Sequence, residues 1–168
     1  MKLLREAIRN LILEIDDDYI GMTPEEEERW QKYHNVERAN TAVDEITGIF
    51  KFKDWWEAGP WMNKYKIYEL EHEPEANCVV RIRVYSMWGG IFLDELETTP
   101  HCEGRGYATQ VINMLKDVAT KHQVVLNLKA KAFHVNKGEG RMSTSELEKW
   151  YASQGFVKKA WYMEWTPR

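Results

Sequence analysis

The chain has 168 residues, of which 43% are hydrophobic and 30% are charged, and this fits one domain with a core of its own. Its formal net charge is −4, and its apolar runs are short. Neither a membrane span nor a general nucleic-acid-binding surface is therefore indicated.

The stretch LLREAIRNLILEIDDD near the start mixes Arg and acidic residues with its apolar positions. A signal peptide has an uninterrupted apolar region, so we predict a cytoplasmic protein. The two cysteines, Cys78 and Cys102, are too few for a disulfide framework or for a zinc site made of thiolates alone, although histidine could complete one. We therefore expect reduced cysteines and no metal.

Two helices are predicted before residue 50. Leucine and isoleucine recur at three-and-four spacing over residues 4–15, which is typical of an amphipathic helix. Thr23 and Glu26 then form a capping-box pattern, and Pro24 suits the first helical position. A second helix is therefore predicted from Pro24 into residues 40–47.

The segment KFKDWWEAGPWMNKY at residues 51–65 predicts an ordered loop, because three tryptophans accompany Gly59 and Pro60. Trp55, Trp56 and Trp61 allow two interpretations. The preferred one is that they close one end of the core, and the alternative is that some of them line a substrate pocket.

The rest of the chain alternates between strand and helix patterns. Strands are predicted at residues 65–71, 78–87, 91–98, 124–133 and 157–165, and helices at residues 107–122 and from the capping box Ser143–Glu146 to Gly155. A strand–helix–strand unit follows an antiparallel meander. This order predicts a mixed, mostly antiparallel α/β (α+β) sheet of about six to seven strands flanked by about four helices.

The turn after the third of these strands carries the clearest chemical signal. It passes through Gly104 and Gly106 into a helix whose first amides are unpaired, an arrangement that suits a phosphate or pyrophosphate. Arg105 adds a cation there, and residues 101–168 carry 11 Lys and Arg against 6 Asp and Glu. The turn matches neither the nucleotide-triphosphate loop nor the dinucleotide fingerprint.

This turn, the element order and a second motif resemble the GNAT superfamily of acyl-CoA-dependent N-acetyltransferases. The family signature Q/R-x-x-G-x-G/A falls on Glu103, Gly106 and Ala108 and follows Pro100, and the later aromatic element falls on Trp150, Tyr151, Gly155 and Phe156. The resemblance covers residues 64–166. Glu103 departs from the signature, because it brings a carboxylate where the family has Gln or Arg.

The resemblance implies a single N-acetyltransferase domain over residues 1–168. Residues 1–50 would supply N-terminal helices on the acceptor side, and residues 64–166 would form the core with the CoA site. The implied enzyme moves an acetyl group from acetyl-CoA to a primary amine by direct attack in a ternary complex. The acceptor stays open between a protein lysine, a protein N-terminus and a small amine.

The same resemblance implies the cofactor-binding residues. Backbone amides of the turn would hold the pyrophosphate, and the preceding strand would pair with the pantetheine amides. The residues concerned are Leu96, Glu97, Thr98, Glu103, Gly104, Arg105, Gly106, Tyr107, Ala108, Thr109 and Asn136.

Tyr151 matches the family tyrosine that protonates the departing CoA thiolate. The general base is less clear, because Phe92 stands where some members carry a strand glutamate. Glu95 is the preferred base, with Glu97 on the same strand face and Asp94 on the other as alternatives. His134 and Cys102 are interpreted as structural residues, ahead of a proton relay and an acyl-accepting nucleophile.

Two rival functions remain. The first is a catalytically inactive GNAT-fold protein that binds a protein partner, and Glu103 motivates it. The second is an interaction module that uses Arg81, Arg83 and the aromatic residues. For the enzyme we expect acetyl-CoA and an amine acceptor as partners, without nucleic acid or membrane, and a homodimer stays open.

Overall fold

The computed structural model describes residues 23–59, 65–131 and 142–168. The chain divides into two compact units, Met1–Gln31 and Lys32–Arg168. The predicted helix over residues 4–15 lies outside the described residues. A single domain over residues 1–168 stays a prediction.

Four helices and seven strands lie within the described part of the chain. The helices are α1 (Pro24–Tyr33), α2 (Val36–Ile49), α3 (Tyr107–His122) and α4 (Thr144–Ser153). The strands are β1 (Lys51–Ala58), β2 (Tyr65–Glu75), β3 (Cys78–Met87), β4 (Gly90–Thr98), β5 (Leu126–Leu128), β6 (Val157–Lys158) and β7 (Met163–Trp165). None of the helices in these ranges is long and apolar enough to cross a membrane.

The strands form one sheet in the order β1-β2-β3-β4-β5-β7-β6. Only β4 and β5 pair in parallel, and α3 supplies the crossover between them that a parallel pair requires. All other neighbours are antiparallel. The predicted mixed, mostly antiparallel sheet with helices is therefore confirmed.

The core forms where α2 and α3 pack against each other and against β3 and β4. In β3 the buried residues Val80, Ile82 and Val84 alternate with Arg81 and Arg83, because successive side chains of a strand point to opposite faces. Six apolar residues at helical spacing predict the buried stripe of α3; Ala108 is half-buried and the other five are buried, namely Val111, Ile112, Leu115, Val118 and Ala119. The opposite face of the sheet is left to charged and aromatic side chains.

Both predicted capping boxes are present, but the single helix predicted from Pro24 into residues 40–47 is wrong. The Thr23 amide donates to the Glu26 carboxylate over 2.8 Å, as predicted for the start of α1. The first helix ends at Tyr33. Asn35 has an extended backbone and caps α2, because its side-chain oxygen accepts a hydrogen bond from the Arg38 amide over 2.9 Å. An internal cap of this kind starts a new helix.

The loop predicted at residues 51–65 is a strand over its first part. β1 is an edge strand that pairs only with β2 among the described strands, and most of its side chains are exposed. Trp55 is 46% exposed and lies under the Lys66 ammonium, 4.8 Å from its ring centre, so this tryptophan does not close the core. Trp61 lies outside the described residues.

Two predicted strands are shorter than expected. The strand predicted at residues 124–133 is paired only over β5, and residues 132 and 133 lie outside the described ranges. The strand predicted at residues 157–165 is a hairpin of β6 and β7, closed by the Lys159 amide donating to the Tyr162 carbonyl over 2.9 Å. A turn inside the segment therefore replaces one long strand.

Cys78 and Cys102 form a disulfide, with their Cα atoms 5.7 Å apart. The expectation of two separate reduced cysteines is wrong for this structure. The pairing of β3 with β4 sets Val80 opposite Thr98, so the start of β3 lies beside the turn that follows β4. Both sulfurs are buried, and the bond joins the start of β3 to the turn that follows β4.

Candidate functional site

The turn between β4 and α3 has the geometry of an anion site. A short 3-10 turn at Pro100–Cys102 leads into Gly104 and Gly106, whose φ angles of 76° and 84° lie in the left-handed region. Gly106 is the N-cap of α3 and offers no side chain to its first amides. A Cβ at either glycine would meet nothing within 4 Å, so the backbone is open to an approaching ligand.

This turn forms one wall of a pocket of about 860 Å³, a volume typical of ligand sites. Two further walls come from the second half of β4 and from α4. The predicted site residues that line it are Glu95, Leu96, Glu97, Thr98, Glu103, Gly104, Gly106, Tyr107, Ala108, Thr109 and Tyr151. The structure thus brings both predicted catalytic residues and most predicted cofactor residues to one cavity.

The second half of β4 has one open edge. Among the described residues, β5 pairs with β4 only at Ile91, Phe92 and Leu93, whereas β3 pairs with β4 as far as Thr98. Leu96, Glu97 and Thr98 lie beyond the end of the β4–β5 pairing and line the pocket. Backbone donors and acceptors of this edge can therefore pair with an extended ligand, as a further strand would.

Tyr151 reaches the pocket from α4 and is nearly fully buried. Its ring packs against Trp150 and Phe156, with centroid distances of 4.7 and 5.7 Å. Burial raises the pKa of the Tyr151 phenol well above its usual range. The phenol is protonated at neutral pH, as an unperturbed tyrosine also is, and its raised pKa makes it a weaker acid than an exposed tyrosine.

Glu95 lies on the same sheet face as Arg83, and its carboxylate contacts the Arg83 Nη1 at 2.5 Å. A β-bulge at Asp94 sets this arrangement, because Arg83 faces Glu95 and the next residue, Val84, faces Leu93. Asp94 is exposed, as expected for the extra residue of a bulge. The preferred base is thus a pocket-lining carboxylate that already has a cationic partner.

Charged residues form a row across this face of β2, β3 and β4. Arg81 lies 3.4 Å from Glu69, 3.6 Å from Glu71 and 3.8 Å from Glu97, and Arg83 also contacts Glu69 at 3.6 Å. Both arginines of the interaction-module hypothesis are therefore paired with carboxylates. They are not arranged as a free basic surface.

One predicted cofactor residue, Arg105, is placed differently. Arg105 does not line the pocket, and its Nη1 contacts Glu75 at 2.5 Å, because the tip of the β2–β3 hairpin lies beside the turn. The same carboxylate accepts a hydrogen bond from Tyr107 and thereby raises the pKa of that phenol. Asn136 and His134 lie outside the described residues.

Several residues that line the pocket were not among the predicted catalytic and cofactor-binding residues; they are Arg83, Cys102, Lys131, Met142, Leu147 and Trp150. Leu147 and Trp150 share the Tyr151 face of α4, and their helical spacing was a usable signal. Lys131 follows β5 and is a cation at the pocket wall. Its position depends on the β4–β5 separation, which no local pattern reveals.

An aromatic cluster occupies the sheet face opposite the core; it comprises Tyr65, Tyr85, Trp88, Phe92 and Trp161. Phe92 packs between Tyr85, 5.1 Å away, and Trp161, 6.3 Å away. Trp88 and Trp161 are 46% and 43% exposed. Trp55 and Trp56 do not line the pocket, Trp56 packs at the margin of this cluster, and Trp61 lies outside the described residues.

Comparisons with known proteins add little. No family model matches the chain, and no curated protein matches it. A solved structure that is similar is the crystal structure of the anti-CRISPR protein AcrVA5, with a TM-score of 0.43, 22% identity and coverage of 57% of this chain and 98% of that one. At this TM-score the likeness carries no argument about function.

Proposed function

We propose that the protein is an N-acetyltransferase of the GNAT type that transfers an acetyl group from acetyl-CoA to a primary amine. The observation that carries the proposal is the pocket itself. It joins a helix N-terminus with two open glycines, a strand edge that no described strand pairs with, and a buried phenol. These features suit a pyrophosphate, a chain of amides and a departing thiolate.

Each part of the donor has a matching surface. The amides at the start of α3 would bind the pyrophosphate, since a helix N-terminus favours negative charge. The edge of β4 from Leu96 to Thr98 would pair with the amides of the pantetheine arm. The arm would then point the thioester toward Glu95 and Tyr151, the two pocket residues that we propose as base and acid.

The transfer requires one bond to form and one to break. The amine nitrogen attacks the thioester carbonyl carbon, a C–N bond forms, and the C–S bond of the donor breaks as the tetrahedral intermediate collapses. The Tyr151 hydroxyl gives its proton to the leaving thiolate, and solvent restores it, since burial disfavours the phenolate. The amine proton passes to Glu95.

Arg83 orients the carboxylate of that base before the amine arrives. Its guanidinium holds the Glu95 carboxylate at 2.5 Å, so an arriving amine must approach a carboxylate that is already oriented. Glu97 lines the same pocket and is the alternative base, whereas Asp94 is exposed on the bulge.

The acceptor would be a cationic or aromatic-compatible amine. The carboxylates of Glu95 and Glu97 line the pocket, and the aromatic cluster lies on the same face of the sheet as Glu95 without lining the pocket. Aromatic faces and carboxylates both favour a protonated amine before it loses its proton. A protein lysine, a protein N-terminus and a small amine all fit this description.

The test is an assay of transfer itself. Purified protein is incubated with acetyl-CoA and a panel that contains lysine peptides, peptides with free N-termini and polyamines. We expect release of free CoA thiol together with one acetyl group on an amine nitrogen of an acceptor, seen by mass spectrometry. Hydrolysis without an acetylated product, or no turnover with any member of the panel, would contradict the proposed reaction.

A catalytically inactive GNAT-fold protein that binds a protein partner is the second candidate. Glu103 favours it, because this exposed carboxylate lines the pocket beside the proposed pyrophosphate site and repels an anion. Weak or absent binding of acetyl-CoA by the folded protein, with no turnover of any acceptor, would select this candidate. Nucleic-acid binding draws no support from Arg81 and Arg83, which are paired with carboxylates.

A cytoplasmic location remains part of the proposal, in keeping with an acetyl-CoA donor.

A further inference from the structure

Three potential metal ligands meet at the foot of the anion-binding turn. One donor atom each from Cys78, His101 and Cys102 lies within 4.8 Å of the others. The two sulfurs are buried and His101 is exposed, so an ion would enter from the side of His101. A Glu75 carboxylate oxygen lies 3.2 Å from the Cys78 sulfur but outside this group of three, and it contacts Arg105 Nη1 at 2.5 Å, so it would have to turn toward the ion to supply a fourth ligand.

This donor set has the composition of a zinc site. Two thiolates, an imidazole and a carboxylate around one ion are soft and borderline ligands in the number that Zn²⁺ takes in tetrahedral sites. With Zn–S bonds of about 2.3 Å and Zn–N bonds of about 2.1 Å, the donors of such a site lie roughly 3.5 Å apart. The observed cluster therefore needs the two sulfurs to separate and the Glu75 carboxylate to turn toward the other ligands.

We propose that the reduced chain binds one Zn²⁺ ion through Cys78, His101 and Cys102, with Glu75 as the fourth ligand. The disulfide and the ion exclude each other. A thiol reductant supplies two electrons and two protons to open the disulfide, and the ion then displaces the two thiol protons as it binds. The proposal does not rest on acetyl-CoA binding or on the proposed reaction, although Cys102 also lines the pocket.

The site would conserve a structural link under reducing conditions. The turn after β4 is tied to the start of β3 by the Thr99 amide, which donates to the Val79 carbonyl over 2.9 Å, and by the Val79 amide, which donates to Thr99 Oγ1 over 3.0 Å. The disulfide is the covalent part of this link. In a reducing compartment the ion would replace it and keep the turn beside the pocket in place.

The experiment uses the full chain, without an affinity tag, reduced with a phosphine and titrated with Co²⁺ under anaerobic conditions. We expect one Co²⁺ per chain, an intense thiolate-to-cobalt absorption band, and loss of that band when one equivalent of Zn²⁺ is added. The oxidised protein should show none of these. Absence of the band in the reduced protein, with a folded circular dichroism spectrum, would overturn the proposal.

One variant and its matched control test whether His101 is a ligand. His101→Ala changes an exposed side chain and should leave the fold intact while it weakens Co²⁺ binding at least tenfold. His122→Ala, which removes a histidine that contacts Glu45 in another part of the chain, is the matched control and should bind as the parent does. Equal affinities of the parent and His101→Ala would contradict the site.

Discussion

The two halves of β4 have opposite surroundings. From Gly90 to Leu93 the strand is buried, pairs with β3 on one side, and pairs with β5 on the other from Ile91 onward. From Glu95 to Thr98 it pairs with β3 only among the described strands, and its residues line the pocket. The bulge at Asp94 separates the two halves.

This difference assigns stability to the first half and ligand binding to the second. A strand with both edges paired and both faces covered has no group left for a ligand, whereas an open edge at a cavity has unused backbone donors and acceptors. The bulge also sets which carboxylates face Arg81 and Arg83. One extra residue therefore separates the core from the candidate site.

The largest effect is expected at the pocket, for Tyr151→Phe. This change removes only the hydroxyl, so the ring packing against Trp150 and Phe156 remains. The rate of acetyl transfer should fall by about 10²–10⁴-fold, the range for loss of a general acid, while acetyl-CoA binding stays unchanged. Steady-state kinetics and calorimetry measure the two quantities.

Tyr68→Phe is the matched control, because Tyr68 packs against the core and does not line the pocket. It should transfer acetyl groups at the parent rate. If Tyr151→Phe also keeps the parent rate, Tyr151 has no part in the chemistry.

The next largest effect should appear in the first half of β4. Leu93→Ala removes a fully buried side chain and should lower the free energy of unfolding by about 2–5 kcal/mol. Leu96→Ala, in the second half, removes a half-buried side chain beside the cavity and should cost roughly half as much. Urea denaturation of both variants gives the comparison, and equal losses would contradict the division of β4.

A smaller effect is expected for two glycines in different backbone conformations. Gly106→Ala places a Cβ at a φ of 84° and should lower stability by about 1 kcal/mol, even though the space around it is open. Gly48→Ala lies in α2 with no atom within 4 Å of its new Cβ, and it should raise stability by about 0.5–1 kcal/mol. Changes of the same sign in thermal unfolding would refute this reading of the turn.

The smallest effect concerns an ion pair away from both halves of β4. Hydrogen bonds from Lys121, and then from His122, lower the pKa of the Glu45 carboxyl. A lowered pKa in the folded state gives stability that is present above the unfolded pKa and is lost as the pH falls through the folded value. Glu45→Gln should therefore lose slightly less folding stability than the parent as the pH falls below 4.5. An equal loss of stability in the parent and the variant over this pH range would contradict the ion pair.

Local signals predicted much of this architecture. The capping boxes at Thr23 and Ser143 are present because each depends on residues only three apart. The stripe of α3 was equally readable, since its burial follows helical spacing. The turn glycines were found for the same reason, because a left-handed φ is a local demand.

The remaining features depend on contacts that are distant in sequence. β1 was missed because an exposed edge strand such as KFKDWWEA has no alternating apolar pattern. The Cys78–Cys102 bond and the Glu95–Arg83 pair follow from strand register, and the bulge that sets the second pair has no signature in the sequence. Arg105 was assigned to the anion because Glu75, 30 residues away, was not known to be its neighbour.

The central claim is that the pocket between β4, α3 and α4 binds acetyl-CoA. Calorimetric titration of the parent protein and of Gly106→Trp tests it most directly, with Val157→Trp as a control at an exposed position outside the pocket. We predict dissociation constants in the micromolar range for the parent and the control, and no binding for folded Gly106→Trp. Absence of binding to the folded parent at millimolar acetyl-CoA, or equal binding by Gly106→Trp, would contradict the account.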